Sequence, residues 1–428
     1  MALRWVVVGM SVSLSAQVAG DSWPGFRGAT GAGVSSERKL PVVWSIDTNL
    51  AWRVPLPGRA NSSPVVVAGR VFVTTQKSDH SLWVIGVRTE DGTKVFEKEV
   101  GSGEVSAKGP RNLYAHRHNA ATPTPVADEE RVWSFFGTGL LVCLSRNGEL
   151  KWERDLAQEY GEYDVQFGMA SSPRLWGDVI FIMCIHKGPS YVVAIDKNTG
   201  DEVWKVERTF EAAADGKDGY ATPTIYERGD RTELLVAGAD HVNAYDPRSG
   251  RQLWVSGGLA VNSTFGRVIA SPATSGDDVL VICSGNPQGG VGHALGIKAG
   301  GDGDVTKSHR LWKFGPGSPD SPTPVCYGGR VFMIKDNGVG FCLDLKSGEK
   351  VWERRLGKGP YRASAIAGDG KIYALSRDGV CSVIKATPSG EIIATNELEG
   401  TFFATPAISD STLYLRSHDS LYAVRQTE

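Results

Sequence analysis

Short apolar runs, separated by polar and glycine-rich turns, recur along the whole chain. Each run is rich in β-branched and aromatic residues, which favour strands. No stretch keeps the 3.6-residue period of an amphipathic helix. The eight runs, in chain order, are GRVFVTT, ERVWSFF, DVIFIMC, TELLVAG, DVLVICS, GRVFMIK, GKIYALS and STLYLRS. The pattern therefore predicts an all-β protein with little helix.

A second signal repeats in step with these strands. Seven copies open with a small residue followed by Ser or Thr and then proline, an eighth, RASAIA, has alanine in the proline slot, and successive copies lie 41 to 59 residues apart. This spacing is typical of a four-stranded propeller blade. The proline slots are Pro64, Pro123, Pro173, Pro223, Pro272, Pro322, Ala365 and Pro406. The sequence thus predicts a single eight-bladed β-propeller.

A turn motif lies about thirty residues into most copies. It places Asp, then Gly four positions later, then Trp four positions after that, as in AIDKNTGDEVW (194–204). Glycine permits a turn with positive φ, and the indole on the returning strand can pack against the neighbouring sheet. The residues expected to dock blade on blade are Trp52, Trp152, Trp204, Trp254, Trp312, Trp352, Gly200, Gly250 and Gly348.

The eighth copy ends without its glycine turn or its tryptophan. Residues 49–57, NLAWRVPLP, have the character of the missing outer strand, with Trp52 twelve positions before Pro64. We expect this segment to pair into the last blade. Such pairing closes the ring and removes the open sheet edge that would otherwise be exposed.

The first twenty residues are typical of a secretory signal. Arg4 supplies a positive charge, an apolar stretch runs from Trp5 to Ala16, and small residues precede Asp21. The stretch is shorter than the ~20 residues of a membrane span, and no cysteine follows it to carry a lipid. We expect a periplasmic or secreted protein with a signal peptide at 1–20, an N-terminal extension at 21–48 and the propeller at 49–428.

Composition excludes two classes of function. The chain has 46 Lys and Arg against 48 Asp and Glu, a net charge of −2, and no basic run interleaved with aromatics, which argues against a nucleic-acid partner. The six cysteines lie inside strand-like runs without any CxxC pair. Buried free thiols behave as small hydrophobes, so we expect no redox or metal chemistry from them.

The repeat resembles that of a known family. The AxDxxTGxxxW spacing, fullest at Ala194, Asp196, Thr199, Gly200 and Trp204, is similar to the tryptophan-docking motif of pyrroloquinoline-quinone (PQQ) propeller proteins, whose non-catalytic branch includes the BamB assembly scaffold. Residues 23–35, WPGFRGATGAGVS, resemble the start of exported PQQ-like repeat proteins common in Planctomycetes. The resemblance implies an eight-bladed propeller. WD40 repeats match the chain less well, since no WD or GH dipeptide marks the copies, and the paired glycines are too irregular for kelch repeats.

The same resemblance bears on the cofactor. Quinoprotein dehydrogenases of this family hold PQQ with two adjacent cysteines and bind calcium through a Glu, Asn and Asp set beside a catalytic Asp. This chain has no adjacent cysteines, and the calcium set does not align residue by residue. We therefore expect no cofactor, with PQQ and calcium as the alternative.

The connections between blades differ in length around the predicted ring. From docking slot to the next proline slot they run 18 to 27 residues in the first half of the ring and 10 to 13 in the second. Long loops on a rigid scaffold often carry binding sites. The first loop also holds Arg111 and Tyr114. The residues expected to bind at the channel mouth are His116, His118, Asn119, Tyr163, Gln166, Phe167, Tyr220, Asn262 and Arg267.

These side chains suit a sugar, peptide or small anion. The leading hypothesis is an exported, monomeric, non-catalytic scaffold that binds a protein, peptide or glycan at this face. The alternative is an enzyme, either a divergent quinoprotein or a carbohydrate-active protein using Asp164 or Asp218. A metal at His116 and His118, or calcium at Asp302 and Asp304, lacks further ligands in the sequence.

Overall fold

The computed structural model describes residues 22–109, 115–274, 276–286, 291–357 and 359–426. The strands form eight sheets, antiparallel except for one short parallel pair, arranged as the blades of a propeller, as the repeat predicts. In most blades the strands follow chain order from the innermost to the outermost. Among the described residues, helix is confined to Leu156–Tyr160 and to a 3₁₀ turn at Ala214–Lys217.

The first four blades each consist of four strands in succession. Blade 1 comprises Val65–Val67, Arg70–Gln76, Ser81–Arg88 and Lys94–Ser102. Blade 2 comprises Val126–Ala127, Arg131–Phe135, Leu140–Ser145 and Leu150–Asp155. Blade 3 comprises Arg174–Trp176, Val179–Cys184, Tyr191–Asp196 and Glu202–Glu207. Blade 4 comprises Thr224–Arg228, Arg231–Gly238, His241–Tyr245 and Gln252–Ser256.

The second half of the ring repeats this plan. Blade 5 comprises Val279–Ser284, His293–Lys298 and Arg310–Phe314. Blade 6 comprises Val325–Tyr327, Arg330–Ile334, Val339–Asp344 and Lys350–Arg355. Blade 7 comprises Ile366–Gly368, Lys371–Leu375, Val380–Lys385 and Ile392–Glu397. Blade 8 comprises Ala407–Ser409, Thr412–Arg416, Ser420–Val424 and, from the start of the chain, Leu50–Pro55.

The closing strand Leu50–Pro55 confirms the predicted closure of the ring. It pairs antiparallel with Ser420–Val424, and Trp52 lies opposite Ala423. Its apolar side chains enter the core between blade 8 and blade 1. The edge of blade 8 is thus covered by the chain's own N-terminal region, which leaves no gap in the ring.

The turn motif has a clear local cause in blade 3. Oδ1 of Asp196 accepts hydrogen bonds from the backbone N–H groups of Asn198 and Thr199, at 2.7 and 2.9 Å. Gly200 follows with φ of +83°, and a Cβ there would lie 2.9 Å from the ring of Trp152 in blade 2. The glycine therefore serves both the left-handed turn and the close approach of the indole.

Most of the docking indoles also donate a hydrogen bond to the turn of the next blade. The pairs are Trp52 with Thr89 O at 2.9 Å, Trp152 with Lys197 O at 3.2 Å, Trp204 with Pro247 O at 3.0 Å and Trp312 with Leu345 O at 2.9 Å. The Trp352 indole instead lies over Gly390, where a Cβ would be 2.3 Å from its Nε1. Gly250 and Gly348 accept the rings of Trp204 and Trp312 in the same way.

Trp254 departs from the docking pattern. Its Nε1 donates to Oε2 of Glu233 at 3.0 Å, inside its own blade. The reason is the insertion in blade 5, where Gly303–Asp304 crosses back and pairs in parallel with the outer strand of blade 4. The innermost strand of blade 5 is correspondingly reduced to a single bridge between Ala273 and Val281.

Replacing Gly200 with alanine tests the docking contact. Gly177 provides a matched control, since its φ is also positive at +56° but an added Cβ would meet no atom within 4 Å. We expect Gly177→Ala to cost about 1 kcal/mol from backbone strain alone. Gly200→Ala should cost about 2–4 kcal/mol, because overpacking against the indole adds to that strain. Urea denaturation measures both, and equal losses would contradict the docking role.

Residues 22–48, here called the strap, lie across the ends of the inner strands. Trp23 exchanges backbone hydrogen bonds with Val66 of blade 1, and the Ile225 N–H of blade 4 donates to Thr30 O at 2.9 Å. Further along, the Ser35 N–H donates to Ala367 O of blade 7 at 2.8 Å. The strap therefore covers the face of the ring opposite to the connections that lead into the inner strands. The predicted signal peptide, 1–20, lies outside the described residues.

All six cysteines are buried and unpaired, as the sequence predicts. Within the described ranges, no helix has both the length and the apolar character needed to cross a bilayer.

Candidate functional site

A pocket with a volume of about 220 Å³ lies on the propeller axis. Its wall is built in layers, because the chain approaches each inner strand in an extended conformation whose alternate residues face the axis. The lowest layer, here called the hydroxyl belt, takes one Ser or Thr from every blade. Its members are Ser63, Thr124, Ser172, Thr222, Ser271, Thr323, Ser364 and Thr405.

The hydroxyl belt is a closed ring of hydrogen bonds. The backbone N–H of each member donates to the hydroxyl oxygen of the member in the next blade, at 2.9 to 3.3 Å. The last bond, from the Thr405 N–H to Ser63 Oγ at 3.0 Å, joins blade 8 to blade 1. Since each oxygen is an acceptor in this ring, each hydroxyl keeps its own proton to donate, and all eight side chains line the pocket.

The belt corrects the register of two sequence repeats. The sequence of blade 2 reads TPTP and that of blade 6 reads SPTP, so each offers two candidate prolines. Pro123 and Pro322 are the wrong choices. The belt members are Thr124 and Thr323, so the equivalent prolines are Pro125 and Pro324.

The second layer, here called the upper ring, lies two residues before each belt member. Its side chains are diverse, in contrast to the uniform belt below. Its members are Asn61, Thr122, Ala170, Tyr220, Ile269, Ser321, Arg362 and Phe403. Every blade therefore contributes one variable position to the pocket wall.

The third layer, here called the rim, is incomplete. It consists of Arg117, His118, Phe167 and Arg267, which come from the connections into blades 2, 3 and 5. These are among the long connections of the first half of the ring, so the wall is highest on that side. The floor is Phe26 of the strap.

Phe167 of the rim packs among aromatic rings and guanidinium groups. Its ring lies 6.4 Å from that of Tyr220 and 6.1 Å from that of Phe265, centroid to centroid. The guanidinium carbons of Arg267 and Arg117 lie 4.6 and 5.7 Å from its centroid. Such cation–π contacts hold both arginines against the aromatic wall.

Charge at the rim is arranged around Arg267. This buried guanidinium lies 2.6 Å from Asp215 and 3.4 Å from Asp320, both of which are buried. Burial raises the pKa of Asp320 to about 6, and burial likewise raises that of Asp218 to about 6. These carboxylates lie behind the pocket wall, since none of them is among its lining residues.

The residues predicted from the sequence divide into two groups. His118, Phe167, Tyr220 and Arg267 line the pocket. The other five do not, and they are His116, Asn119, Tyr163, Gln166 and Asn262. Arg111 and Tyr114 lie outside the described residues.

The five residues outside the pocket wall have other surroundings. Tyr163 is buried in the core between blades 2 and 3, with its hydroxyl 3.5 Å from that of Tyr191. Asn119 shapes its own loop by donating to Arg59 O at 2.6 Å and accepting from the Ala121 N–H. His116 and Asn262 are exposed, and Gln166 is half-buried.

Three lining residues escaped the sequence analysis and carry much of the pocket's chemistry: Phe26, Arg362 and Phe403. The last two were detectable, because they stand two positions before the Ser or Thr of a repeat whose position was already known. Phe26 carried no such signal, since only the path of the strap brings it beneath the channel.

Neither Asp164 nor Asp218, the carboxylates of the enzyme alternative, lines the pocket, and residues of both metal alternatives are engaged within the protein. His118 contacts the carbonyl oxygen of Phe167 through its Nε2, and Asp304 caps the N–H of Thr306 at 2.9 Å. Oδ2 of Asp218 accepts from the backbone N–H of Gln166 at 2.8 Å. In the part of the chain that the structure describes, no three His, Cys, Asp or Glu side chains cluster as metal ligands.

Comparison with known proteins gives a consistent fold. A family described as outer membrane protein assembly factor BamB matches residues 13–187, 168–369 and 342–427. The structure of BamB from Moraxella catarrhalis is 15% identical, with a TM-score of 0.59, covering 88% of this chain and 99% of that one. No curated protein matches the chain.

Two dehydrogenase structures are also similar. A europium-containing methanol dehydrogenase is 11% identical, with a TM-score of 0.68, covering 94% of this chain and 98% of that one. A quinohemoprotein alcohol dehydrogenase from Comamonas testosteroni is 13% identical, with a TM-score of 0.67, covering 95% of this chain and 82% of that one. At such identities the likeness concerns the fold alone.

Proposed function

The chain belongs to the family described as outer membrane protein assembly factor BamB, and from that membership we propose that it is an exported, non-catalytic scaffold. It binds a ligand or a protein partner at the long-loop face of its channel. It acts as a monomer in the periplasm or outside the cell. The strap covers the opposite face, so the channel is open to a ligand or partner at the long-loop face.

The observation that carries this proposal is the one-ended pocket. Phe26 closes its floor, and the belt, upper ring and rim build its wall from every blade. A concave site with aromatic walls and a few converging polar groups is the usual form of a small-molecule site. Since the upper ring differs at every blade, the wall offers an asymmetric surface from a nearly symmetric fold.

Quinone-dependent catalysis receives less support from these residues. The dehydrogenase fold implies PQQ with a metal ion, and the pocket offers neither adjacent cysteines nor a carboxylate on its wall. Asp215 and Asp320 are engaged by Arg267. The donor set of the described pocket therefore does not fit a quinone with its metal.

Filling the pocket tests where binding occurs. Ala170 belongs to the upper ring, so Ala170→Trp projects an indole into the channel. We expect this variant to lose retention of any glycan or peptide that the unaltered protein retains on an array. Ala29→Trp is the matched control, because Ala29 is exposed on the opposite face. Melting temperatures of both variants establish that they are folded.

Two outcomes would overturn the proposal. Retention that survives Ala170→Trp but is lost in Ala29→Trp places the binding site on the opposite face. Dye-linked alcohol oxidation after incubation with PQQ and calcium shows that the protein is an enzyme. Either result leaves the fold assignment unchanged.

A further inference from the structure

Three guanidinium groups converge on the pocket from three different connections. Arg117 precedes blade 2, Arg267 precedes blade 5 and Arg362 precedes blade 7, and all three line the cavity. No Asp or Glu is present among the described lining residues. The wall of the pocket therefore presents positive charge, although the chain as a whole has a net charge of −2.

Two of these arginines form ion pairs with carboxylates that do not line the pocket. Arg267 pairs with Asp215 and Asp320, at 2.6 and 3.4 Å. Arg362 contacts Asp336 and donates to Ser321 Oγ at 3.1 Å. Their charge is thus balanced within the protein before any ligand binds.

Arg117 differs from the other two. Among the described residues it has no carboxylate within ion-pairing distance, and its Nε donates to Nε2 of His116 at 3.3 Å. Burial lowers the pKa of Arg117, and Arg362 and Arg267 lower it further, against the opposing effect of Asp320 and Asp336. Its guanidinium lies over Phe167 and lines the pocket, and the carboxylates of Asp320 and Asp336 act on it from beyond ion-pairing distance.

The remaining wall defines the body of the ligand. The hydroxyl belt offers eight O–H donors below the guanidinium groups, which suit hydroxyl or carboxylate oxygens. Phe26, Phe167 and Phe403 offer apolar faces for C–H groups.

We infer that the pocket takes a small hydroxylated carboxylic acid, of which a hexuronic acid is the type. Its carboxylate is bound by the Arg117 guanidinium, and its hydroxylated ring lies on the belt and the aromatic wall. This inference rests on the proposed binding function and adds the chemistry of the ligand. A monoanion is favoured over a dianion, because Arg117 alone of the three lining arginines has no described carboxylate within ion-pairing distance.

Calorimetric titration with D-glucuronate, D-glucose and D-glucosamine tests the inference. We expect glucuronate to bind, and glucose and glucosamine to bind at least tenfold more weakly. Arg117→Gln should weaken glucuronate binding at least about tenfold, since a charge-assisted hydrogen bond is lost. Arg117→Lys should retain part of the affinity, because it keeps the charge but not the planar fork. Arg38→Gln, on the exposed strap, is the matched charge control.

The outcomes separate this inference from the proposed function. If glucose binds as well as glucuronate, or if Arg117→Gln leaves glucuronate affinity unchanged at an unchanged melting temperature, the acid-binding inference is wrong while a pocket ligand survives. Failure of glucuronate to bind at millimolar concentration also overturns it. Loss of array binding in Ala29→Trp but not in Ala170→Trp overturns the proposed function as well.

Discussion

A chain that begins at residue 58 is expected to lose the cooperative thermal transition of the full propeller. It lacks the closing strand and the two residues after it, and with them the buried side chains of Trp52, Val54 and Leu56. Burying such a side chain contributes about 1.5–3 kcal/mol, so their loss approaches the 5–15 kcal/mol by which a typical protein is stable. The exposed edge of blade 8 would also promote association between chains.

A chain that begins at residue 49 is the control for this truncation. It lacks the strap but keeps the closing strand, so it separates the two contributions. Circular dichroism during heating and light scattering after size-exclusion chromatography measure stability and association. A synthetic peptide of residues 49–57 should restore the transition when added to the shorter chain. Coincident melting curves for the two truncated chains would contradict the closure of the ring by this strand.

Most of the fold could be predicted because its causes are local. Asp196 and Gly200 form a turn from residues four apart, and the ring of Trp152 covers that turn from the preceding blade. Such contacts recur at a fixed spacing, so they leave a period in the sequence. The hydrogen bond from Trp254 to Glu233 has no such repeated spacing, because it follows from an insertion in blade 5 that pairs with the outer strand of blade 4.

The pocket was only partly predictable, for physical reasons. A long loop on the surface holds side chains that point into the core as well as into the channel, which is why Tyr163 and Phe167 looked alike in the sequence but differ in the structure. Arg362 and Phe403 lie on short connections. The sequence marks them only by their position, two residues before the Ser or Thr of their repeat. The closed ring of hydrogen bonds shows which Ser or Thr is the equivalent one in every blade.

Arg27→Met is expected to destabilise the protein by about 3–5 kcal/mol. The Arg27 side chain is fully buried, and its guanidinium is solvated by carbonyl oxygens. It donates to Gly31 O, Ala32 O, Pro324 O and Ala365 O at 2.6 to 3.1 Å. Methionine fills similar space but leaves these acceptors without a donor, and hydrogen bonds to a charged group contribute about 1.5–3 kcal/mol each. Urea denaturation measures the loss.

The same substitution should loosen the strap, whose Phe26 forms the floor of the pocket. Arg27 ties the strap to blades 6 and 7, and Arg174 of blade 3 holds the Phe26 and Gly28 carbonyls at 2.8 and 2.7 Å. Without Arg27 only one side of the strap is held by a guanidinium, so limited proteolysis should cut within residues 22–48 sooner than in the unaltered protein. Arg38→Met, on the exposed part of the same strap, should change neither measurement. A loss below about 1 kcal/mol with unchanged proteolysis would mean that the strap is held by its backbone contacts alone, because the buried cation would then contribute no more than an ordinary hydrogen bond.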